Sequence, residues 1–235
     1  AYLRPVMRRA NLQVASNAIV QRLEIIEGRC TGVHYRRYGR LLFAAARRCV
    51  ILSAGAIGSP QLLQVSGVGP GAVLQNIGVP LVHDLPGVGE NFRDHYAVRV
   101  AHRVTKPVTL NERARGLRLG WEIGKWLFAG RGLLAFSPAH VAVFLRSEAH
   151  LETPDLQFVF TPASYSDGVT GKLQPFPGMT AGVWQMRPES RGYVRATSAN
   201  PDVPPIIQPN YLDASDDQRA VVSGLRWCRR LLQTA

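Results

Sequence analysis

The stretch Cys49-Val50-Ile51-Leu52-Ser53-Ala54-Gly55-Ala56-Ile57-Gly58-Ser59-Pro60-Gln61-Leu62-Leu63 constrains the fold more than any other part of this sequence. Cys49 to Leu52 are apolar without alternation, which predicts a strand covered on both faces, as in an α/β sheet. The small residues Ala54, Gly55, Ala56 and Gly58 then form a turn. Ser59 suits a helix N-cap, Pro60 the first helical position, and Gly67 the stop. Small residues let a ligand lie close to the backbone, and the free N–H groups of a helix start favour an anion. Turns of this composition also occur with nothing bound.

The flanking residues fill in an α/β (α+β) chain. Upstream, residues 11–14, 19–26, 31–38 and 41–44 read as a β-meander, with Gly28 supplying the turn. Downstream, Leu85-Pro86-Gly87-Val88-Gly89 begins an ordered, irregular connection. Residues 113–128 have helical period, with Leu117, Trp121, Gly124 and Phe128 on one stripe, and predict a packing helix. Short apolar runs at 140–145, 155–160, 180–186 and 192–196 predict an antiparallel sheet. Residues 201–209 are proline-rich and extended. Ser215-Asp216-Asp217-Gln218 reads as a capping box for a closing helix with Val221, Leu225, Cys228 and Leu232 on its buried stripe.

Composition excludes several classes. With 235 residues the chain can build one large domain or two small ones. Cys30, Cys49 and Cys228 are odd in number and widely spaced, so they predict neither a disulfide framework nor a metal site, and a reducing, cytoplasmic compartment fits. The net charge of +12 comes from scattered arginine pairs rather than one basic stripe, and no nucleic-acid-binding motif accompanies it. No apolar run approaches the roughly 18 residues of a membrane span. The sequence lacks an initiator Met and stops within a helical pattern, which reads as a fragment.

Gly55-Ala56-x-x-Ser59-Pro60-x-Leu62-Leu63-x-x-Ser66-Gly67-Val68-Gly69 resembles, position for position, the second signature of the glucose-methanol-choline (GMC) oxidoreductases. These are FAD-dependent enzymes that oxidise alcohols. Asn11-Leu12-x-Val14, Leu85-Pro86-Gly87-Val88-Gly89-Glu90-Asn91-x-x-Asp94-His95, Arg187-Pro188-x-Ser190-Arg191-Gly192 and Pro204-x-Ile206-x-Pro209-Asn210-Tyr211 are similar to the choline-dehydrogenase-like branch. The Gly-x-Gly-x-x-Gly turn that holds the FAD pyrophosphate in the family is absent, as is the C-terminal region bearing the family's active-site His. The resemblance therefore implies the central part of such an enzyme, with no catalytic base in this chain and little FAD binding by the piece alone.

It implies a partial Rossmann-like FAD-binding domain over residues 1–95, a substrate domain on an antiparallel sheet over 96–210, and a helix over 211–235 returning to the FAD domain. Val20, Ser53, Ala54, Gly55, Asn91 and His95 are the cofactor-binding residues it points to. His140 takes the place of an acid that offsets a trimethylammonium charge in choline-handling relatives, which shifts the expected substrate to a neutral alcohol. Tyr165, Trp184 and Arg187 complete the substrate set, the aromatic pair offering an alternative cage for a cation. The electron acceptor and oligomeric state stay open. So do two other readings: a hydroxynitrile-lyase-like FAD protein without net redox, and a non-catalytic remnant or split-subunit module.

Overall fold

The computed structural model describes residues 2–105, 108–135, 137, 139, 141–166 and 172–233. In chain order the elements are β1 (Ala18–Ile26), β2 (Arg29–Arg37), β3 (Arg40–Ala45), α1 (Gly55–Val65), β4 (Val68–Gly69), α2 (Gly71–Asn76), β5 (His83–Asp84) and β6 (Glu90–Phe92). There follow β7 (Val98–Arg103), α3 (Leu110–Arg113), α4 (Gly116–Ala129), β8 (Val141–Leu145), β9 (Leu156–Thr161), β10 (Gly178–Gln185), β11 (Gly192–Arg195), β12 (Ile206–Gln208) and α5 (Ser215–Gln233). Two compact units result. The first holds the residues up to Phe92 and Arg191–Pro209, the second Arg93–Ser190 and the segment from Asn210 onward.

In the first unit β1, β2 and β3 form an antiparallel meander. Its two hairpin turns are Glu27-Gly28, at φ 50° and 76°, and Tyr38-Gly39, at φ 49° and 75°. Both pairs take the left-handed conformation whose twist matches the flanking strands, and glycine in the second place lowers its cost. Helix α1 packs Leu62 and Val65 against Leu23 of β1 and Ala196, with Val33, Val50 and Leu52 around them. Ser66 locks the contact: its hydroxyl accepts the Leu23 N–H at 2.8 Å and donates to the Leu62 carbonyl at 2.6 Å. A second small sheet runs β12-β11-β6, and β4 pairs with β5 in parallel.

Three sequence expectations change here. Residues 11–14 are not a strand, and neither are Cys49 to Leu52. Val50 and Leu52 pack on the α1 cluster while Ile51 is 84% exposed, so the run is covered on one side only. Helix α1 starts a turn earlier than the Ser59-Pro60 pair suggests. Gly55, at φ +82°, swings the chain into the helix, and Ser59 instead accepts the Ala54 N–H within the first turns, leaving Pro60 inside.

The second unit is built on an antiparallel sheet of order β7-β10-β9-β8, in which the predicted runs at 140–145, 155–160 and 180–186 supply β8, β9 and β10, β7 is a strand the apolar runs did not mark, and the run at 192–196 is β11 of the first unit instead. Leu156, Phe158, Ala181 and Val183 meet Ala220, Cys228 and Leu232 of α5 in a closed core. A Cβ on Gly224 would fall 2.7 Å from Val183, so glycine sets how closely α5 sits on β10. The helix predicted over 113–128 forms as α4 from Gly116, after the separate one-turn α3 that ends at Arg113, and α4 ends at Gly130 in the left-handed conformation. Its apolar stripe does not pack: Leu117 and Phe128 are 95% and 93% exposed. The division drawn from sequence also shifts. β11 and β12 pair with β6 in the first unit, and α5 lies on the sheet of the second.

Candidate functional site

In the first unit a cleft of about 600 Å³ opens where β1, the 50–54 segment and the start of α1 meet. Val20 is on one wall, Ser53 and Ala54 on another, and Gly58, Gln61 and Pro201 complete it. These positions are fixed from below by the Leu23, Leu62 and Val65 cluster. Gln61 holds the far wall, donating from Nε2 to the carbonyls of Pro201 at 3.2 Å and Val203 at 2.8 Å. Asp202 in that loop receives both Nη atoms of Arg36, at 2.8 and 3.0 Å, and this guanidinium holds its carboxyl below the usual carboxylate range.

The α1 end of the cleft is small and unencumbered. A Cβ on Gly58 would lie 3.2 Å from Ala54 Cβ, so the turn admits no larger side chain without displacement, and Gly55 has open space around it. The first four N–H groups of any helix lack partners within the helix, and α1 carries no acidic residue in its first turn. An anionic or strongly accepting group is therefore favoured there. One donor is already taken, since the Ala54 N–H reaches Ser59 Oγ at 3.1 Å. Size, small-residue walls and orphan donors fit the adenosine end of a nucleotide cofactor.

Asn91 belongs to the first unit but does not line this cleft. It takes φ 59°, and its Oδ1 accepts from Arg191 at 3.0 Å, an anchoring contact beside β11. His95 lies in the second unit, on a separate cleft of about 670 Å³ that Asp94, Met186 and Arg187 also line. Its Nε2 is 2.9 Å from the Met186 carbonyl. A carbonyl only accepts, so Nε2 carries the proton and a neutral ring keeps Nδ1 as acceptor. Asp94 is committed twice, to the His95 N–H at 2.9 Å and to the Tyr211 hydroxyl, whose pKa rises because it donates to that carboxylate.

The substrate residues expected from sequence are only partly gathered. Arg187 lines the second-unit cleft, but its Nη2 donates to Thr153 Oγ1 at 3.0 Å and ties down the turn between β8 and β9. Trp184 stacks at 6.0 Å from the His95 ring, and its indole N–H is buried without a partner. Tyr165 bridges to Leu173 and is not on the cleft. His140 lies outside the described residues. Among the described residues no cluster of His, Cys, Asp or Glu is arranged to hold a metal.

Two functional supports were not visible in the sequence. Gln64 is fully buried, donating to the carbonyls of Val88 and Val194 and accepting the Ala196 N–H at 2.6 Å. Asp217 is 2% exposed and receives the N–H groups of Glu189 and Ser190, at 2.9 and 2.8 Å, together with the Ser190 hydroxyl. Burial alone would raise the Asp217 pKa, but these donors outweigh it and the net shift is downward. The expected capping box is thus replaced by a carboxylate that pins the turn after β10. The acid in the first turn of α5 was the available signal; its partners, 27 and 28 residues away, were not.

Comparison with known proteins places this architecture. Sequence models of the GMC oxidoreductase family match residues 1–97 and 188–235. An oxygen-dependent choline dehydrogenase of Photobacterium profundum is 36% identical over 232 residues, covering 99% of this chain and 41% of its own. The mitochondrial choline dehydrogenase of Homo sapiens is 37% identical over 238 residues, covering 98% and 38%. The chain therefore spans about two fifths of the length of these curated relatives. Among solved structures, a formate oxidase superimposes with TM-score 0.86 at 24% identity over 94% of this chain and 44% of that one. A pyridoxine 4-oxidase from Mesorbium loti gives 0.78 at 22%, over 96% and 40%. The fold agrees with these structures, the signature after Leu52 agrees with the family models, and the chain belongs to the GMC oxidoreductases.

Proposed function

We propose that this chain is part of a longer FAD-dependent enzyme that oxidises an alcohol at its CH–OH carbon. The observation that carries the reading is the first-unit cleft, which collects Val20, Ser53 and Ala54 at the start of α1. Val20 would meet the adenine end through its backbone, and Ser53, Ala54 and Gly55 would border the ribose. When bound, the flavin supplies the acceptor for the alcohol's α-hydride. The chain's own residues bind and orient. Asn91 and His95 would lie along the flavin, and the Met186 carbonyl keeps the His95 proton at Nε2. Asp94, bound to Tyr211 and the His95 N–H, is not free to accept a substrate proton. That task is left to a residue beyond this sequence.

For substrate, His140 in place of a carboxylate supports a neutral aliphatic or aromatic alcohol over a quaternary ammonium, with Tyr165, Trp184 and Arg187 as the remaining contacts. The choline dehydrogenase names of the relatives support the CH–OH donor class. The test is a titration of the chain with ADP and with FAD, followed by backbone amide NMR. Binding is expected to be weak, with the amides of Val20, Ser53, Ala54 and Gly55 shifting and with Gly58→Leu removing the response. Shifts confined to other residues, or an unchanged response in Gly58→Leu, would sink the assignment.

A further inference from the structure

One short turn joins the walls of the first-unit cleft. Asn200 to Val203 closes on itself, the Val203 N–H donating to the Asn200 carbonyl at 3.1 Å and the Asp202 N–H to Asn200 Oδ1 at 3.0 Å. From this turn Asp202 reaches the meander, where its carboxylate takes the fork of Arg36 in β2 and a further bond from the side chain of Gln21 in β1. Gln21 is the extra residue at which the β1–β2 register slips, between Val20 opposite Tyr35 and Arg22 opposite His34. A bulge re-aims the residues beside it, and here the neighbour is Val20 on the cleft wall. On the other side the carbonyls of Pro201 and Val203, which flank Asp202, share the amide nitrogen of Gln61 in α1. β1, α1 and the Pro201 wall are thus tied to each other through three consecutive residues.

Stability alone does not account for this arrangement. The Arg36 and Asp202 side chains are 40% and 37% exposed, and ion pairs open to water contribute little to folding. What a planar guanidinium meeting a carboxylate through two parallel bonds does supply is a fixed orientation as well as a distance. We propose that Arg36, Gln61 and Asp202 are positioning residues for the nucleotide cofactor, clamping the Pro201 wall against Val20 and the start of α1. Arg36 and Asp202 act through Pro201 and through the Gln21 bulge beside Val20, and Gln61 acts through the two carbonyls it holds. Every contact of the clamp lies within the first unit, so it stands whatever the remainder of a longer chain covers. The inference rests on the nucleotide reading of this cleft.

The test is the dissociation constant for ADP, read from the amides of Val20, Ser53 and Ala54 in the whole chain, with a thermal melt of every variant. Asp202→Asn keeps the shape and removes the charge; it should weaken ADP about threefold while the melting temperature stays within about 2 °C. Gln61→Leu should weaken it about fivefold, and the two together about tenfold or more. Arg36→Asp sets two acids against each other and should cost about tenfold, whereas adding Asp202→Arg restores an opposite-charge pair and should bring affinity back to within about threefold of the unaltered chain. Unchanged affinity in Asp202→Asn and Gln61→Leu overturns the proposal and leaves the nucleotide reading intact. A loss that follows the melting temperature, and that the charge exchange does not restore, also overturns it by marking a merely structural contact. Absence of any ADP response in the unaltered chain removes the nucleotide reading and the clamp with it.

Discussion

Along α5, Ala220, Val221, Gly224, Cys228 and Leu232 fall on one side and are buried; along α4, Leu117, Trp121 and Phe128 fall on one side and are exposed. Both helices also bury an acid, Asp217 in α5 and Glu122 in α4, each held ionised by donors. The difference lies in what faces them. Gly224 lets α5 settle onto Val183, and the thiol of Cys228 is pushed up to about 11 by the apolar surroundings this creates. Glycines 120 and 124 of α4 have empty space where a Cβ would stand. Helical period reports which side is apolar and says nothing of what covers it.

The largest expected effect is on the α5 side. Phe158→Ala empties the core beneath that helix and should cost about 3–5 kcal/mol in chemical denaturation, whereas a loss under about 1 kcal/mol would mean that α5 is not seated on β9 and β10 as described. Asp217→Ala strands the N–H groups of Glu189 and Ser190 and should cost about 2–3 kcal/mol at neutral pH. The folded pKa of Asp217 lies below the ordinary 3.8, so its contribution is complete above that value and disappears as pH falls through the folded pKa. The deficit of the Ala variant should accordingly shrink in acid; a pH-independent deficit would show that the carboxylate is not the stabilising form. The finest discriminator is a matched pair. Gly224→Ala gains about 1 kcal/mol of helix propensity but overpacks Val183 by about 1–3 kcal/mol, for a net loss, while Gly124→Ala should gain up to about 1 kcal/mol. Two gains would erase the contrast between the helices.

How much of this was legible follows the same line. The meander was, because Glu27-Gly28 states its turn locally, and so were β8, β9 and β10 of the second-unit sheet, from their short apolar runs, though not β7. The strand expected at Cys49 to Leu52 is absent from the fold, because an unbroken apolar run is compatible with burial but does not supply neighbours. Ser59-Pro60 imitated a helix start, and the true start was set by the positive φ of Gly55. For the site, residue chemistry pointed only to a permissive turn. The family resemblance brought in Val20, which the cleft joins to Ser53 and Ala54, and also Asn91 and His95, which it does not. Gln64 and Asp217 escaped because a polar side chain in a sequence looks like surface until its partners, up to 132 positions away, are known.

Gln64 also dictates an order of assembly. Its amide is satisfied by the carbonyls of Val88 and Val194 and the N–H of Ala196, so α1 cannot complete its buried hydrogen bonds until the ribosome has delivered β11, after the whole Arg93–Ser190 insertion. A nascent chain halted at Ser190 would hold a finished meander and an α1 whose central glutamine still needs water for company.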